Sequence, residues 1–210
     1  EFGVVPLDIE GYTSFNMRPR KYGVRLMISK EMMEDSLFDV MALNVETAGY
    51  ELADNEETLI LDTLDTATAQ TDSTRVANSN ATLPISDLTA GIQGLEEEGY
   101  EPTHIIVGTE VANDLRNIDT FVEADKAGIN DPSKRLIGKI FEMKVLTSRN
   151  VAAKRAYIID ASFAFVIADK RPVTIERYFD AARDTGFAVA TQRFSTRYLR
   201  SAATARIVTT

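Results

Sequence analysis

The segment Ser29–Leu64, SKEMMEDSLFDVMALNVETAGYELADNEETLILDTL, decides the fold because apolar residues recur along it with the period of an α-helix. Ser29 is a residue type that caps helix N-termini, and Glu31 follows in the first turn, where an acidic side chain favours the helix dipole. The apolar positions are Met33, Leu37, Val40, Met41, Val45, Ala48, Leu52, Leu59 and Leu61. The pattern predicts a helix from Ser29 to about Leu64.

The predicted helix is long for a chain of this size. About 36 residues at 1.5 Å per residue make a rod of about 54 Å. A compact domain of 210 residues has an expected diameter of roughly 43 Å. Either Gly49 or Asn55 therefore interrupts the helix, or the subunit is flat and relies on neighbouring subunits to cover its faces.

Four carboxylates, Glu31, Glu34, Asp35 and Asp39, lie at the start of this predicted helix. Carboxylates at i and i+4 share a helix face and can in principle bridge metal ions. Helical dimetal sites of this kind also use Glu-x-x-His pairs, and the chain has a single His. The acids are therefore interpreted as a solvated helix face.

Composition excludes several functions. The chain has no Cys, which excludes a disulfide framework, a thiolate metal site and a thiol nucleophile. The net charge of -9 argues against a surface that grips nucleic acid, since such binding relies on Lys and Arg. With 44% hydrophobic residues and no apolar run long enough to span a membrane, the sequence predicts a soluble globular protein with no membrane partner.

No catalytic or cofactor-binding motif is present in the sequence. His104 lies between apolar residues of a predicted strand, without a Ser or Cys motif to activate, and is predicted to be structural. Gly138 and Lys139 lack the upstream Gly and the following Ser or Thr of a phosphate-binding loop. The sequence predicts no enzyme activity, no metal and no cofactor.

The other helices and strands are predicted from changes in the spacing of apolar residues along the chain. Thr13–Met27 is predicted to be extended or a hairpin, and the polar segment Thr66–Asn80 a boundary. Helices are predicted at Ile85–Gly99 and from a Thr109 cap to Ile118. Predicted strands are Thr103–Gly108, Lys144–Ser148, Tyr157–Ile159, Phe163–Ile167, Val173–Tyr178 and Phe187–Leu199, with a hairpin turn at Arg183–Gly186.

A basic run, Arg18, Arg20, Lys21 and Arg25, is the strongest charge feature of an otherwise acidic chain. It is short for a nucleic-acid site and has no second basic segment nearby. We expect these side chains to meet acids of the same or a neighbouring subunit.

The order of these segments resembles the major capsid proteins of tailed phages, which share the Hong Kong ninety-seven fold. Nearly the whole chain takes part in the resemblance. Three segments carry most of it: the Ile-Ser-x-Glu entry to the long helix at Ile28–Glu31, the run from Leu136 to Ser148, and the Arg-rich terminal strand pair within TIERYFDAARDTGFAVATQRFSTRYL.

The resemblance implies an α+β subunit with a long spine helix, a peripheral domain, an axial domain and an extended loop that crosses a neighbour. It also implies that the chain begins close to that loop, with the family's N-terminal arm absent or short. The implied segments are 1–27 (extended loop and strand), 28–83 (peripheral domain with the spine helix), 84–171 (axial domain), 172–200 (peripheral hairpin) and 201–210 (terminal strand returning to the axial domain).

The resemblance implies self-assembly into pentamers and hexamers of an icosahedral shell around double-stranded DNA, without sequence-specific DNA binding. Expected partners are further copies of the chain, a portal, and scaffolding or decoration proteins. The expected location is the virion capsid, assembled in the host cytoplasm. An encapsulin-type nanocompartment shell, which uses the same fold to enclose cargo enzymes, is the alternative that the sequence leaves open.

The resemblance also assigns three groups of contact residues. The basic run belongs to the extended loop, and Arg183 and Asp184 belong to a hairpin near a threefold axis. That hairpin has no Asn in Arg183–Gly186, so we expect none of the Lys–Asn cross-links that some family members form. The axial loop near the capsomer centre supplies mixed charges, at Glu123, Asp125, Lys126, Asp131 and Lys134.

Overall fold

The computed structural model describes residues 14–37, 39–70, 76–78, 82–117, 136–152 and 154–209. Helices and strands alternate irregularly along these ranges, which makes the chain an α+β protein. The elements are β1 Arg20–Ser29, α1 Lys30–Asp35, α2 Val40–Gln70, β2 Val76–Asn78, α3 Ile85–Glu97, β3 His104–Val107, α4 Thr109–Arg116, β4 Leu136–Ile140, β5 Met143–Thr147, β6 Arg155–Ile159, β7 Phe165–Asp180, β8 Thr185–Tyr198, a short 3-10 helix at Ser201–Ala203, and β9 Thr204–Thr209.

The described strands form two sheets. Sheet A has three antiparallel strands in the order β1-β8-β7. Sheet B has six strands in the order β2-β9-β6-β3-β5-β4, in which β2 and β9, and β3 and β5, are parallel neighbours. The last strand, β9, returns to sheet B and lies between β2 and β6.

The long predicted helix is broken, but not at the predicted positions. The Ser29 hydroxyl accepts a hydrogen bond from the Met32 N–H at 3.3 Å, as expected of an N-cap, but α1 ends at Asp35. Asp39 then caps α2, because its Oδ1 accepts from the Ala42 N–H at 3.0 Å. Asp35 and Asp39 therefore do not share one helix, and neither Gly49 nor Asn55 interrupts α2.

The helix also extends further than predicted, to Gln70. The segment Thr66–Asn80, predicted to be a boundary, contains the last turn of α2 and all of β2. Thr66 Oγ1 donates to the Asp62 carbonyl at 2.8 Å, and Thr68 Oγ1 donates to the Asp65 carbonyl at 3.0 Å. Such bonds to the preceding turn satisfy small polar side chains within a helix, so their composition alone does not end it.

Two further predictions of local structure were wrong. The strands predicted at Phe163–Ile167 and Val173–Tyr178 are one strand, β7. Its pairing with β8 shifts register on both sides of Arg171, and an edge strand with such irregularities tolerates Pro172. At α4 the N-cap is Gly108, and Thr109 is the first helical residue.

Sheet B is covered on both faces by helices. On one face α3 and α4 bury the largest apolar cluster, in which Leu88, Leu95 and Leu115 are fully buried. Gly91 permits the close approach of α3, since a Cβ there would lie 2.7 Å from Cδ1 of Ile158. On the other face the C-terminal half of α2 buries a second cluster, formed by Leu61, Leu64, Val151, Tyr157, Ile159 and Ala164.

The N-terminal half of α2 covers sheet A, and contacts with this sheet continue as far as Thr63. Ala48 and Leu52 pack against Ala190 of β8, with the partly buried Tyr22, Val24 and Leu26 of β1 around them. Gln192 Nε2 donates to Glu56 Oε2 at 3.2 Å, and the hydroxyls of Thr63 and Thr196 lie 2.8 Å apart. One helix of 31 residues thus joins both sheets.

A polar cluster fixes α2 to sheet B. Asp65 accepts hydrogen bonds from the Tyr157 hydroxyl at 2.6 Å and from Arg155 Nη1 at 2.9 Å and 3.0 Å. Arg206 Nη1 of β9 lies 3.5 Å from the same carboxylate. Burial, followed by the Asp65 hydrogen bond, raises the pKa of Tyr157, so the phenol remains a donor. One carboxylate therefore binds donors from two adjacent strands.

Replacing Asp65 with Asn tests this connection. We expect the free energy of unfolding to fall by about 2 kcal/mol, because two guanidinium groups lose their counter-charge, and partial exposure limits the loss. Asp62→Asn, on the exposed surface of the same helix, is the matched control and should change the free energy by less than about 0.5 kcal/mol. Chemical denaturation of the unassembled subunit measures both, and equal effects would contradict the assignment.

Candidate subunit interface

The predicted basic run is divided between the two faces of sheet A. Tyr22 and Val24 pack towards α2, so Lys21 and Arg25, which alternate with them along β1, lie on the other face. We call the face of sheet A that is turned away from α2 the distal face. The sequence showed the charges but not the sheet that separates them.

Arg18 and Arg20 lie on the α2 side of sheet A. Both are exposed and line an open groove together with Leu59, Asp62 and Thr63 of α2. Among the described residues, no carboxylate lies within 4.0 Å of the charged groups of Arg18, Arg20 or Lys21.

Arg25 has a contact within its own subunit. Its guanidinium lies 4.7 Å from the centre of the Phe187 ring, and Tyr178 stacks on that ring with 4.9 Å between centres. A cation over an aromatic face is attracted by the negative charge of the ring surface. Arg25 therefore packs against an aromatic ring of its own subunit on the distal face.

The β7–β8 hairpin places Arg183 and Asp184 beside the start of α1. Asp184 has a positive φ of 50°, its carbonyl accepts from the Lys30 N–H at 3.0 Å, and its carboxylate lies 4.0 Å from Lys30 Nζ. Arg183 Nε lies 3.9 Å from Asp180 of the same turn. These contacts fix the hairpin tip relative to α1, while its relation to a symmetry axis remains a prediction.

The five charged residues predicted for the axial loop lie outside the described residues. They are Glu123, Asp125, Lys126, Asp131 and Lys134, and their role stays a prediction.

Large apolar side chains are exposed along the edge strands of sheet A and along the adjoining helices. A single exposed apolar residue is ordinary, whereas several on neighbouring elements are typical of a surface that another molecule covers. On β7 the exposed residues are Ile167, Val173, Ile175, Tyr178 and Phe179; on β1, α1 and α2 and between the helices they are Met27, Met32, Leu37, Leu43 and Tyr50. Sequence periodicity did not identify these residues, because an exposed apolar residue and a buried one look alike in a pattern.

The described residues contain no group of acidic or His side chains arranged to hold a metal ion. Burial, followed by the nearby Lys144, lowers the pKa of His104, whose Nδ1 lies 2.9 Å from the Thr103 hydroxyl. His104 is therefore a neutral, hydrogen-bonded strand residue. None of the described helices combines the length and the apolar character needed to span a bilayer.

Comparison with solved structures identifies the fold. A structure from Microbacterium phage Oxtober96 matches with a TM-score of 0.73 and 11% identity, covering 92% of this chain and 73% of that one. The bacteriophage PhiM1 mature capsid matches with a TM-score of 0.64 and 13% identity, covering 99% and 78%. The holo-SrpI encapsulin complex of Synechococcus elongatus PCC 7942 matches with a TM-score of 0.66 and 8% identity, covering 90% and 73%. The chain has the Hong Kong ninety-seven fold.

No curated protein sequence matches the chain significantly. The family model described as phage capsid protein matches residues 13–206, which is nearly the whole chain. Members of that family are structural proteins of the capsid rather than enzymes. The chain therefore belongs to the phage capsid protein family.

Proposed function

We propose that this protein is the major capsid protein of a tailed phage or prophage, and that it assembles into pentamers and hexamers of an icosahedral shell around double-stranded DNA. The observation that carries the proposal is the family match over residues 13–206. The exposed apolar residues on the edge strands of sheet A support it, because a shell covers such surface with neighbouring copies.

The two sheets support a division into two functional parts. We assign the peripheral domain to segments 28–83 and 172–200, which contain α2 and most of sheet A. We assign the axial domain to segment 84–171, to which segment 201–210 adds a strand. Strand β7 runs through the boundary at 171 and 172, so the two parts are continuous there. The axial loop with Glu123, Asp125, Lys126, Asp131 and Lys134 then faces copies related by rotation, and Arg183 and Asp184 approach a threefold axis.

We assign Arg18, Arg20 and Lys21 to contacts with neighbouring copies: Arg18 and Arg20, on the α2 side of sheet A, contact the start of the spine helix of a neighbour, and Lys21, on the distal face, contacts a carboxylate of another copy. Glu31 and Asp35 of α1 are exposed, and among the described residues no cation lies within 4.0 Å of their carboxylates. An exposed ion pair of this kind stabilises by at most about 1 kcal/mol. A closed shell repeats the pair in every subunit, so small contributions accumulate.

The net charge of -9 suits a shell that encloses DNA without binding it. An acidic lining reduces adhesion of DNA to the wall while the genome enters. A portal, together with scaffolding or decoration proteins, completes the particle, and assembly takes place in the host cytoplasm before the virion is released.

An encapsulin-type shell is the second candidate, favoured by the shared fold with the SrpI encapsulin complex. The two candidates differ in content, since a phage shell encloses DNA and an encapsulin shell encloses protein cargo. The absorbance spectrum and nuclease sensitivity of the contents of particles purified from an expressing cell separate them.

Assembly is the first expected outcome. We expect the purified full-length protein to form pentamers, hexamers or closed shells under some condition of salt and concentration. Light scattering and sedimentation measure the particle mass. A compact monomer at every salt and protein concentration would count against the proposed function.

Charge reversal of Arg18, Arg20 and Lys21 to Glu is expected to block or weaken assembly and to leave the subunit folded, because these exposed side chains contribute few core contacts. The matched control exchanges Arg18 and Arg20 for Lys and Lys21 for Arg, which preserves every charge. Particle yield by sedimentation and circular dichroism of the subunit, in preparations free of DNA, measure the effect. Normal particle yield from the triple Glu variant would refute the assignment.

A further inference from the structure

Three cations lie directly opposite one another across the whole width of sheet A. Lys21 of β1 pairs in register with Arg193 of β8, and Arg193 pairs in register with Arg171 of β7. Residues directly opposite each other in neighbouring strands share a face of the sheet. All three side chains therefore project from the distal face. We call Lys21, Arg193 and Arg171 the cation row. At about 4.8 Å between strands the row is about 10 Å wide.

The cation row is unfavourable in the isolated subunit. Like charges directly opposite each other on a sheet destabilise it. The Nε atoms of Arg171 and Arg193 are buried and have no acceptor among the described residues. Arg171 Nη2 donates to the Thr191 hydroxyl at 2.7 Å, a neutral acceptor that leaves the positive charge uncompensated. Because the two Nε atoms are buried, an external anion would reach the row at its other nitrogen atoms, where it would balance the positive charge.

The neighbouring row of sheet A carries only short side chains. Gly23 lies opposite Thr191, which in turn lies opposite Thr174. A Cβ at Gly23 would come within 2.9 Å of the Thr191 methyl group, so any other residue would push against β8. Gly23 thus accommodates the Thr191 methyl group, and Lys21 and Arg25 lie on either side of Gly23 along β1.

Carboxylates are scarce on this face. Glu176, opposite Val189, is the next residue of β7 after Thr174 whose side chain lies on the distal face. None of the described carboxylates lies within 4.0 Å of the charged groups of the cation row. Guanidinium forks bind the planar pair of oxygens of a carboxylate with particular specificity.

We propose that the cation row over Gly23 is an oxyanion site that is occupied in the shell by a carboxylate side chain of a second copy of this chain. The inference rests on the proposed function, because only a shell supplies that copy. Charge complementarity favours a second copy as the source, since the chain carries 32 acidic and 23 basic residues. Met27 and Tyr178, which are 65% and 48% exposed on the same face, add the apolar surface of a protein contact.

The test uses Arg193→Gln in the full-length protein. This change removes one of three adjacent like charges and no hydrogen bond to a described residue, so the melting temperature of the unassembled subunit should stay equal or rise. We expect the lowest protein concentration that supports shells to rise about tenfold. Arg177→Gln is the matched control: it lies on the same sheet, opposite Ala188 on the α2 side, and should leave that concentration unchanged.

Three outcomes are distinguishable. Shells from the wild type with impaired assembly of Arg193→Gln alone support the inference. Equal assembly of the wild type and Arg193→Gln overturns it and leaves the proposed function intact, whereas a wild type that never assembles overturns both. In a density map of the wild-type shell, a carboxylate of another copy at Arg193 and Arg171 supports the inference, while free phosphate, nucleic acid or bare solvent there contradicts it.

Discussion

The structure depends on one helix that serves two sheets at once. The N-terminal half of α2 packs on sheet A, and its C-terminal half packs on sheet B through Leu61, Leu64 and the Asp65 cluster. At about 1.5 Å per residue this helix of 31 residues is about 47 Å long, which separates the two sheets along its axis. Because apolar and polar contacts bind α2 to both sheets, this helix fixes the position of one sheet relative to the other.

Such an arrangement leaves surface uncovered. Sheet B is enclosed by helices on both faces, whereas α2 covers sheet A on one face only. The distal face therefore carries exposed apolar side chains such as Met27 and Tyr178, and cations that have no carboxylate within 4.0 Å among the residues that the structure describes. In a monomer these features would lower stability and solubility, and no contact would compensate for that loss. In the proposed shell, neighbouring copies cover these surfaces.

The sequence predicts which helices and strands form better than it predicts where they begin and end. It predicts least well which side chains share a face of a sheet. Strand β3 and the hairpin turn before β8 were predicted because period and turn residues are local signals. The helix break was misplaced because Asp39 acts as a cap only when the chain before it turns away, which a periodic pattern does not record. The cation row escaped prediction because Lys21, Arg171 and Arg193 are far apart in sequence and meet only through strand register. The Asp65 cluster, built from Tyr157, Arg155 and Arg206, escaped for the same reason.

The central claim is that this two-sheet subunit is completed by its neighbours in a closed shell. Cryo-electron microscopy of particles assembled from the full-length protein tests it most directly. The account predicts an icosahedral shell of pentamers and hexamers in which α2 joins both sheets of every copy and a neighbouring copy covers the distal face of sheet A. Ordered shells in which that face is bare to solvent in every copy would contradict it.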